Sequence, residues 1–197
     1  MQNATATDLP ALLKESVDVS VRTDNAVPLL VDALIVISLG ACTFGFMLPP
    51  LLHGYTTMCL RAVRGEKIGV GESFRGVERF VPTLVLGLLL LGLVLLGTLV
   101  PVVGNLAVLC VVWWAFCASV ERPELGALDA VKASFAFTRA HPIETLVVAA
   151  LGVGLNALLA ATAIGAVVTT AFSGVFTAVV WSRLSRGAPA LGYPPRA

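Results

Sequence analysis

Charged side chains are scarce in this 197-residue chain: Asp, Glu, Lys and Arg make up 13% of it, and there are only 2 histidines. Water-soluble domains average about 25% charged residues, so the composition excludes an ordinary soluble enzyme and a disordered protein. A net charge of +1 provides no basic field that would attract nucleic acid. Apolar residues are abundant instead, at 57% with a mean hydropathy of +0.92. These values indicate an integral membrane protein.

Two long stretches, residues 80–120 and 145–182, contain no charged side chain. Because a spanning helix needs about 20 mostly apolar residues, each stretch can hold a helical hairpin. The first hairpin has its predicted turn at Pro101 to Asn105, and the second near residues 160–165. Long apolar runs favour helices over a β-barrel. We therefore predict an all-α, polytopic transmembrane helical bundle of about five spans, near residues 27–48, 81–100, 105–120, 143–161 and 164–182.

The basic residues indicate an orientation. Eleven of the 13 lysines and arginines lie in residues 61–79, 121–144 and the tail, so we expect these segments to be cytoplasmic. The abundance of Ala, Val, Gly and Leu suits a bacterial inner membrane. Five spans place the amino terminus outside, whereas a six-crossing or re-entrant arrangement places it inside. No cleavable signal peptide is recognisable in the first 25 residues, so the first span is expected to direct insertion.

Three regions divide the chain: an amphipathic amino-terminal segment (1–26), the transmembrane domain (27–182) and a tail (183–197) expected to be flexible and basic. Residues 51–64 allow three interpretations: a re-entrant segment, an interfacial segment or a kinked extension of the first span. In the amino-terminal segment, apolar residues recur at steps of four, which predicts a helix. That apolar stripe is Leu9, Leu13, Val17 and Val21.

Two further amphipathic stretches, residues 70–80 and 125–139, lie between the spans. Their apolar and charged residues recur at helical spacing, so we expect interfacial helices with their apolar sides down. The apolar stripes are Val70, Phe74, Val77 and Phe80 in the first stretch, and Leu125, Leu128, Val131 and Phe135 in the second. Such helices either seal the edge of the bundle or dock a partner. The candidate partner-docking residues are Arg75, Arg79, Lys132 and Arg139.

These stretches also show a weak internal repeat, in which an amphipathic helix precedes a helical hairpin. The matching residues are Ser73 with Ser134, Phe74 with Phe135, and Thr83 with Thr145. Two units of one orientation would form parallel repeats, an arrangement known in transporters.

Polar side chains inside a membrane are functional candidates because burying them is costly. The candidates here are Asp32 and Asn156. We expect Asp32 to be a hydrated carboxylate near the lipid headgroups, and Asn156 to form a hydrogen bond between helices. His53 and His141 lie at segment ends, and the four cysteines lack metal-ligand spacing, so no metal site or cofactor is predicted.

No catalytic constellation is recognisable: the sequence has no HExxH, no phosphate-binding glycine loop and no paired intramembrane carboxylates. We therefore expect a non-enzymatic accessory or scaffold subunit of a membrane complex. Its expected partners are the lipid bilayer and either another protein or a second copy of itself, with no nucleic acid. The alternative is a permease-type transporter subunit coupled to a cytoplasmic ATPase, because residues 124–130 resemble the coupling helix of such permeases.

Loose motifs distributed over residues 30–182 also indicate a resemblance to other proteins. They are Gly54-Tyr55, Arg61, Arg64-Gly65-Glu66, Phe74, Phe80, the turn at Pro101 to Gly104, Gly126-Ala127-Leu128, Ala130, Ser134 and Thr138. Together they resemble a broad group of bacterial multi-span proteins of unknown function, which includes the membrane domain fused to some glycerophosphodiester phosphodiesterases. At residues 139–141 the chain has Arg-Ala-His where that group has a glycine. The resemblance implies a helical membrane domain of regulatory or accessory character, without catalytic residues.

Overall fold

The computed structural model describes residues 9–99, 103–159 and 162–187. Every regular element in these ranges is helical, which confirms the predicted all-α class. We number the α-helices α1 to α8 and call the 3₁₀ helix between α3 and α4 the 3₁₀ segment. The elements are α1 (Leu9–Val21), α2 (Thr23–Cys42), α3 (Leu48–Val63), the 3₁₀ segment (Glu72–Arg79), α4 (Phe80–Gly97), α5 (Val103–Glu121), α6 (Ala127–Ala140), α7 (Pro142–Leu159) and α8 (Ala163–Gly187).

Three stretches are long and apolar enough to cross a membrane, and they overlap three of the predicted spans. They are Asp24–Cys42, Glu72–Gly97 and Ile164–Ser185. The two other predicted spans coincide with α5 and α7, although the apolar run in α7 is shorter, at Pro142–Leu155. Crossing by α5 and α7 stays a prediction. The predicted turns fall partly on residues 100–102 and 160–161, which lie outside the described residues.

The first predicted span ends earlier than expected, and α3 is a separate helix that folds back onto α2. Residues 43–47 form a tight turn in which Phe44 has a φ of 50° and Gly45 a φ of 83°. The Tyr55 hydroxyl then donates to the Leu29 carbonyl oxygen at 3.4 Å. In one continuous helix these two residues would lie about 39 Å apart. This geometry rules out a kinked extension for residues 51–64.

The 3₁₀ segment packs against α3 backbone to backbone. A Cβ atom on Gly76 would overlap the carbonyl oxygen of Pro50, and one on Gly54 would overlap the carbonyl oxygen of Ser73. Only glycine permits such an approach. The face of the segment that meets the bundle is therefore made of small residues, Ser73 and Gly76, both buried. Phe74 of the predicted apolar stripe lies at the surface.

Helix α6 buries two small residues and one aromatic residue. Ala130, Ser134 and Phe137 are fully buried, whereas Leu128 and Phe135 are 56% and 52% exposed. The apolar stripe predicted for residues 125–139 is thus divided, because its other two members, Leu125 and Val131, are half-buried. Ala130 and Ser134 let α6 approach α5 closely: the Ser134 hydroxyl donates to the Val111 carbonyl oxygen.

Helix α1 lies against α8 through a face that overlaps the predicted one in part. Its buried residues are Leu12, Ser16 and Val19. Leu9 and Leu13 of the predicted stripe also pack against the core, whereas Val17 and Val21 are exposed. Glu15 of α1 forms an ion pair with Arg183 near the end of α8. Two side chains in contact cannot lie on opposite sides of a bilayer. The five-span arrangement would separate these two residues, and the side on which the amino terminus lies stays a prediction.

Candidate functional site

Asp32, the sequence candidate in the first span, is completely buried rather than hydrated as expected. Its Oδ1 accepts a hydrogen bond from the Gly71 N–H at 2.7 Å, and its Oδ2 accepts one from the Ser73 N–H at 3.2 Å. Gly71 has a φ of 88°, a conformation that suits glycine. The carboxylate therefore ties the middle of α2 to the start of the 3₁₀ segment. A buried charge needs such partners, because an unpaired carboxylate is costly to desolvate.

The loop that Asp32 holds is also held by Arg61 at the end of α3. The Arg61 guanidinium donates to Glu66 at 2.7 Å, to Glu72 at 2.6 Å and to the Lys67 carbonyl oxygen at 3.1 Å. These bonds, that to Glu66 first, raise the pKa of Arg61 above its usual value. A guanidinium suits this task because its planar fork presents several N–H donors at once. Residues 66–72 are therefore a fixed loop that joins α3 to the 3₁₀ segment.

A small, mainly apolar cavity lies beside His53, where α3, α4, α5 and the start of α6 meet. Its volume is about 20 Å³, and the polar side chains in its lining include Arg79, Thr83 and Ser119. The His53 Nδ1 atom lies 3.0 Å from the Ser119 Oγ atom.

An aromatic cluster joins α5, α6 and α8 on another side of the bundle. The ring of Phe137 lies 5.0 Å from Trp114, 4.5 Å from Trp181 and 4.9 Å from His141, measured between ring centroids. The Trp114 Nε1 donates to the Thr145 hydroxyl at 2.9 Å. The buried indole thus has the polar partner that it requires, and the cluster is well suited to a packing role.

The four predicted docking residues do not have equal surroundings. Arg75 is exposed, Lys132 lies 3.4 Å from Asp129 in an exposed pair, and the Arg139 guanidinium lies 5.8 Å from the centre of the Phe135 ring. Arg79 instead donates to the Pro123 carbonyl oxygen and lines the His53 cavity. Three of the four therefore present charge at the surface, whereas Arg79 is engaged inside the molecule.

Other sequence candidates contribute less. The Asn156 side chain lies outside the described residues. Cys59 and Cys117 are buried, and Cys42 is exposed. Within residues 9–99, 103–159 and 162–187, no group of three or more His, Cys, Asp or Glu residues could hold a metal ion.

Sequence reasoning missed both of the loop contacts to Asp32 and the cavity at His53. The glycines at positions 69, 71 and 76 mark a loop that can present backbone N–H groups, but no sequence signal connects this loop to Asp32, about forty positions earlier. Nothing comparable marks His53 and Ser119, which are 66 positions apart in the chain.

The chain was also compared with known proteins. No protein family, no curated protein and no solved structure matches it.

Proposed function

We propose that this protein is a non-enzymatic accessory subunit of a membrane complex, and that it docks an acidic surface of a partner protein. The docking face consists of the outer sides of the 3₁₀ segment and α6. One observation carries the proposal: on both elements an exposed phenylalanine lies beside exposed cations. These residues are Phe74 with Arg75 on the 3₁₀ segment, and Phe135 with Lys132 and Arg139 on α6.

The inner faces of the same elements explain why the outer side chains are free for another role. Ser73 and Ser134 are both fully buried, the 3₁₀ segment meets the bundle through Ser73 and Gly76, and α6 meets it through Ala130, Ser134 and Phe137. Packing against the bundle therefore does not require the exposed cations or rings. An exposed cation next to an aromatic ring is well suited to bind a carboxylate and an apolar group of a partner.

A non-enzymatic role agrees with the state of the loop carboxylates. Glu72 pairs with Arg61 at 2.6 Å, and Glu121 pairs with Arg64 at 2.8 Å. Each of these two carboxylates is therefore engaged by an arginine of the chain itself. The resemblance to the membrane domain fused to some glycerophosphodiester phosphodiesterases points the same way, since it too implies an accessory role.

The proposal includes a multi-pass arrangement in the inner membrane. Helices α4, α5, α7 and α8 cross the bilayer, and residues 61–79, 121–144 and the carboxyl end face the cytoplasm. We infer that α2 and α3 enter and return as a re-entrant hairpin. The turn at residues 43–47 and the pair between Glu15 and Arg183 support this inference.

Charge reversal tests the docking face. The triple variant Arg75→Glu, Lys132→Glu and Arg139→Glu should reduce recovery of co-purifying partners at least about tenfold, with insertion unchanged. Arg79 is left intact because it bonds to the Pro123 carbonyl. The control is Lys14→Glu, an exposed cation on α1. Equal recovery from the triple variant and the control would refute docking through these residues.

The permease alternative predicts a polar path for a solute. The cavity at His53 has about 20 Å³, which is room for one water molecule. Solute flux through reconstituted protein, alone or with an ATPase that co-purifies with it, would support this alternative over the accessory role.

A further inference from the structure

The turn between α2 and α3, residues 43–47, presents two aromatic rings at the surface, and we call it the tip. Phe44 is 100% exposed and Phe46 is 56% exposed. Phe44 also has a φ of 50°, a conformation that residues other than glycine rarely adopt. No Asp, Glu, Lys or Arg occurs between Asp32 and Arg61. Neighbouring exposed rings in an uncharged segment indicate a contact surface for an apolar partner.

The backbone N–H groups of the tip all have partners within the molecule. From Thr43 to Leu48, five of them donate to carbonyl oxygens, and that of Met47 donates to the Thr43 hydroxyl oxygen at 3.2 Å. The next two residues, Pro49 and Pro50, have no N–H. A turn in water can leave its N–H groups to the solvent, whereas hydrocarbon offers no acceptor and requires internal ones. The tip therefore suits surroundings without water.

Contacts with α4, part of a stretch long and apolar enough to cross a membrane, indicate the depth of the tip. The ring of Phe46 lies 5.7 Å from that of Phe80, the first residue of α4. Pro49 packs on Gly87, where an added Cβ atom would overlap the proline ring. Seven helical residues rise about 10 Å, whereas one leaflet contributes about 15 Å of hydrocarbon. The tip and the start of α3 therefore lie beside the part of α4 that one leaflet surrounds.

The remainder of α3 stays at the same end of the bundle. His53 lies 3.0 Å from Ser119, and Arg64 donates to Glu121 at 2.8 Å. The two residues of α3 are about 16 Å apart along its axis, whereas their partners are about 3 Å apart along α5. Helix α3 therefore runs across the end of α5 and does not follow it toward the other leaflet.

We propose that the hairpin of α2 and α3 inserts into one leaflet only, the one in which α4 begins, and that its tip binds the acyl chains of lipids through Phe44 and Phe46. Lipid is the occupant because the tip is uncharged and satisfies its own N–H groups. The tip also continues the exposed apolar surface of α4 at Val81 and Val85. The proposal rests on the multi-pass arrangement proposed above, but not on the docking face.

Spin labels measure the depth of the tip. The full-length protein without native cysteines receives one of four substitutions, is labelled with a nitroxide and is reconstituted in phosphatidylcholine vesicles. The substitutions are Phe44→Cys at the tip, Val70→Cys in the exposed loop before the 3₁₀ segment, and Val81→Cys and Leu91→Cys on the exposed side of α4. Oxygen concentrates in hydrocarbon and a polar nickel chelate in water. The ratio of oxygen to nickel relaxation at position 44 should exceed that at position 70 at least about fivefold. The depth at position 44 should be less than that at position 91.

Three results would overturn the proposal. Equal access of nickel to positions 44 and 70 would place the tip in water. Little access of either reagent to position 44 would mean that a second copy of the chain covers the tip. A depth equal to or greater than that of position 91 would mean that the hairpin reaches the other leaflet. None of these results bears on the docking face, which the charge-reversal triple variant tests separately.

A second experiment leaves the label outside the tip and changes the ring. The label is attached to the native Cys42, which is exposed next to the tip, with the other three cysteines replaced by alanine. Phe44→Asn removes the ring, and asparagine tolerates the left-handed conformation of this residue. The ratio of oxygen to nickel relaxation at Cys42 should fall at least about twofold, because the lost apolar area no longer favours hydrocarbon. Phe74→Asn, at an exposed ring of the 3₁₀ segment, is the control and should leave the ratio unchanged. Equal ratios in Phe44→Asn and the control would overturn lipid binding through Phe44.

Discussion

At the scale of single residues, the most consequential side chain is Asp32. It is an acid in an otherwise apolar helix, and its two carboxylate oxygens accept the N–H groups of Gly71 and Ser73. The sequence predicts that an acid at this place must find water or a partner. The partner is backbone, and no side chain marks it, so the choice between hydration and burial could not be made from the sequence.

Replacing Asp32 with asparagine should destabilise the protein by about 2 kcal/mol. The amide oxygen can accept only one of the two N–H groups, and its own NH₂ then faces the other donor. Thermal unfolding in mild detergent measures this loss. Asp24→Asn, an exposed acid in the first turn of the same helix, should change stability by less than about 1 kcal/mol. Equal effects of the two substitutions would show that the contacts of Asp32 are not formed.

Gly76 is the residue where added volume should matter most. Gly76→Ala would place a methyl group on the Pro50 carbonyl oxygen, so the 3₁₀ segment must move away from α3. We expect a loss of about 3 kcal/mol or a failure to accumulate in the membrane. The matched control is Gly92→Ala in α4, where a Cβ meets no atom within 4 Å. A control that loses as much stability as Gly76→Ala would contradict the close contact.

At the scale of elements, the two amphipathic stretches show what a hydropathy pattern can and cannot say. The pattern at residues 70–80 and 125–139 predicts elements with one apolar face, and regular helical elements do form there. The pattern does not say which face meets the bundle. In the 3₁₀ segment small residues form the inner face, because Gly76 permits a closer backbone approach than Phe74 would. In α6 the inner face combines the small residues Ala130 and Ser134 with Phe137.

The weak internal repeat extends to equivalent contacts in the structure. Ser73 and Ser134 are both fully buried. The Thr83 hydroxyl donates to the Arg79 carbonyl at 2.8 Å, and the Thr145 hydroxyl donates to the His141 carbonyl at 2.7 Å. The two units thus share buried serines and a threonine bond in the first turn of the following helix.

The loop at residues 66–72 gives an element-scale prediction. Arg61→Lys should loosen it, because a compact ammonium cannot reach Glu66, Glu72 and the Lys67 carbonyl together. We expect amide hydrogen exchange in residues 66–72 to become about fivefold faster, equivalent to about 1 kcal/mol. Exchange should be unchanged in Arg75→Lys, whose side chain is exposed. A rate unaffected by Arg61→Lys would mean that Asp32 alone holds the loop.

At the scale of the whole molecule, the pair between Glu15 and Arg183 bears on the choice between the two arrangements that the sequence allows. The number of apolar runs in the sequence predicts five spans, which place the two ends of the chain on opposite sides of the membrane. The contact requires Glu15 and Arg183 to lie on one side. Helix α3 folds back onto α2 and so returns the chain to the side of the membrane at which α2 begins. An arrangement with both ends of the chain on one side needs this return.

Protease-cleavable tags at both ends of the chain test this arrangement. In right-side-out vesicles both tags should be protected, and in inverted vesicles both should be cleaved. A disulfide should also form between Glu15→Cys and Arg183→Cys in a variant without native cysteines, and not between Arg22→Cys and Arg183→Cys. Cleavage of the tags in opposite vesicle preparations would restore the five-span arrangement.

The sequence by itself determined that the chain is helical and has helices apolar enough to cross a membrane, and it placed most of these helices to within a few residues. These properties follow from local quantities, the length of an apolar run and the cost of burying charge, which can be summed along the chain. Only the tertiary structure decided that Asp32 is bonded to a loop about forty positions away, that His53 meets Ser119, and that Glu15 meets Arg183. Such contacts depend on how the backbone folds back on itself at residues 43–47 and 64–71. The interaction energies of these contacts therefore arise between segments that are far apart in the sequence, and a pattern read along the chain does not connect such segments.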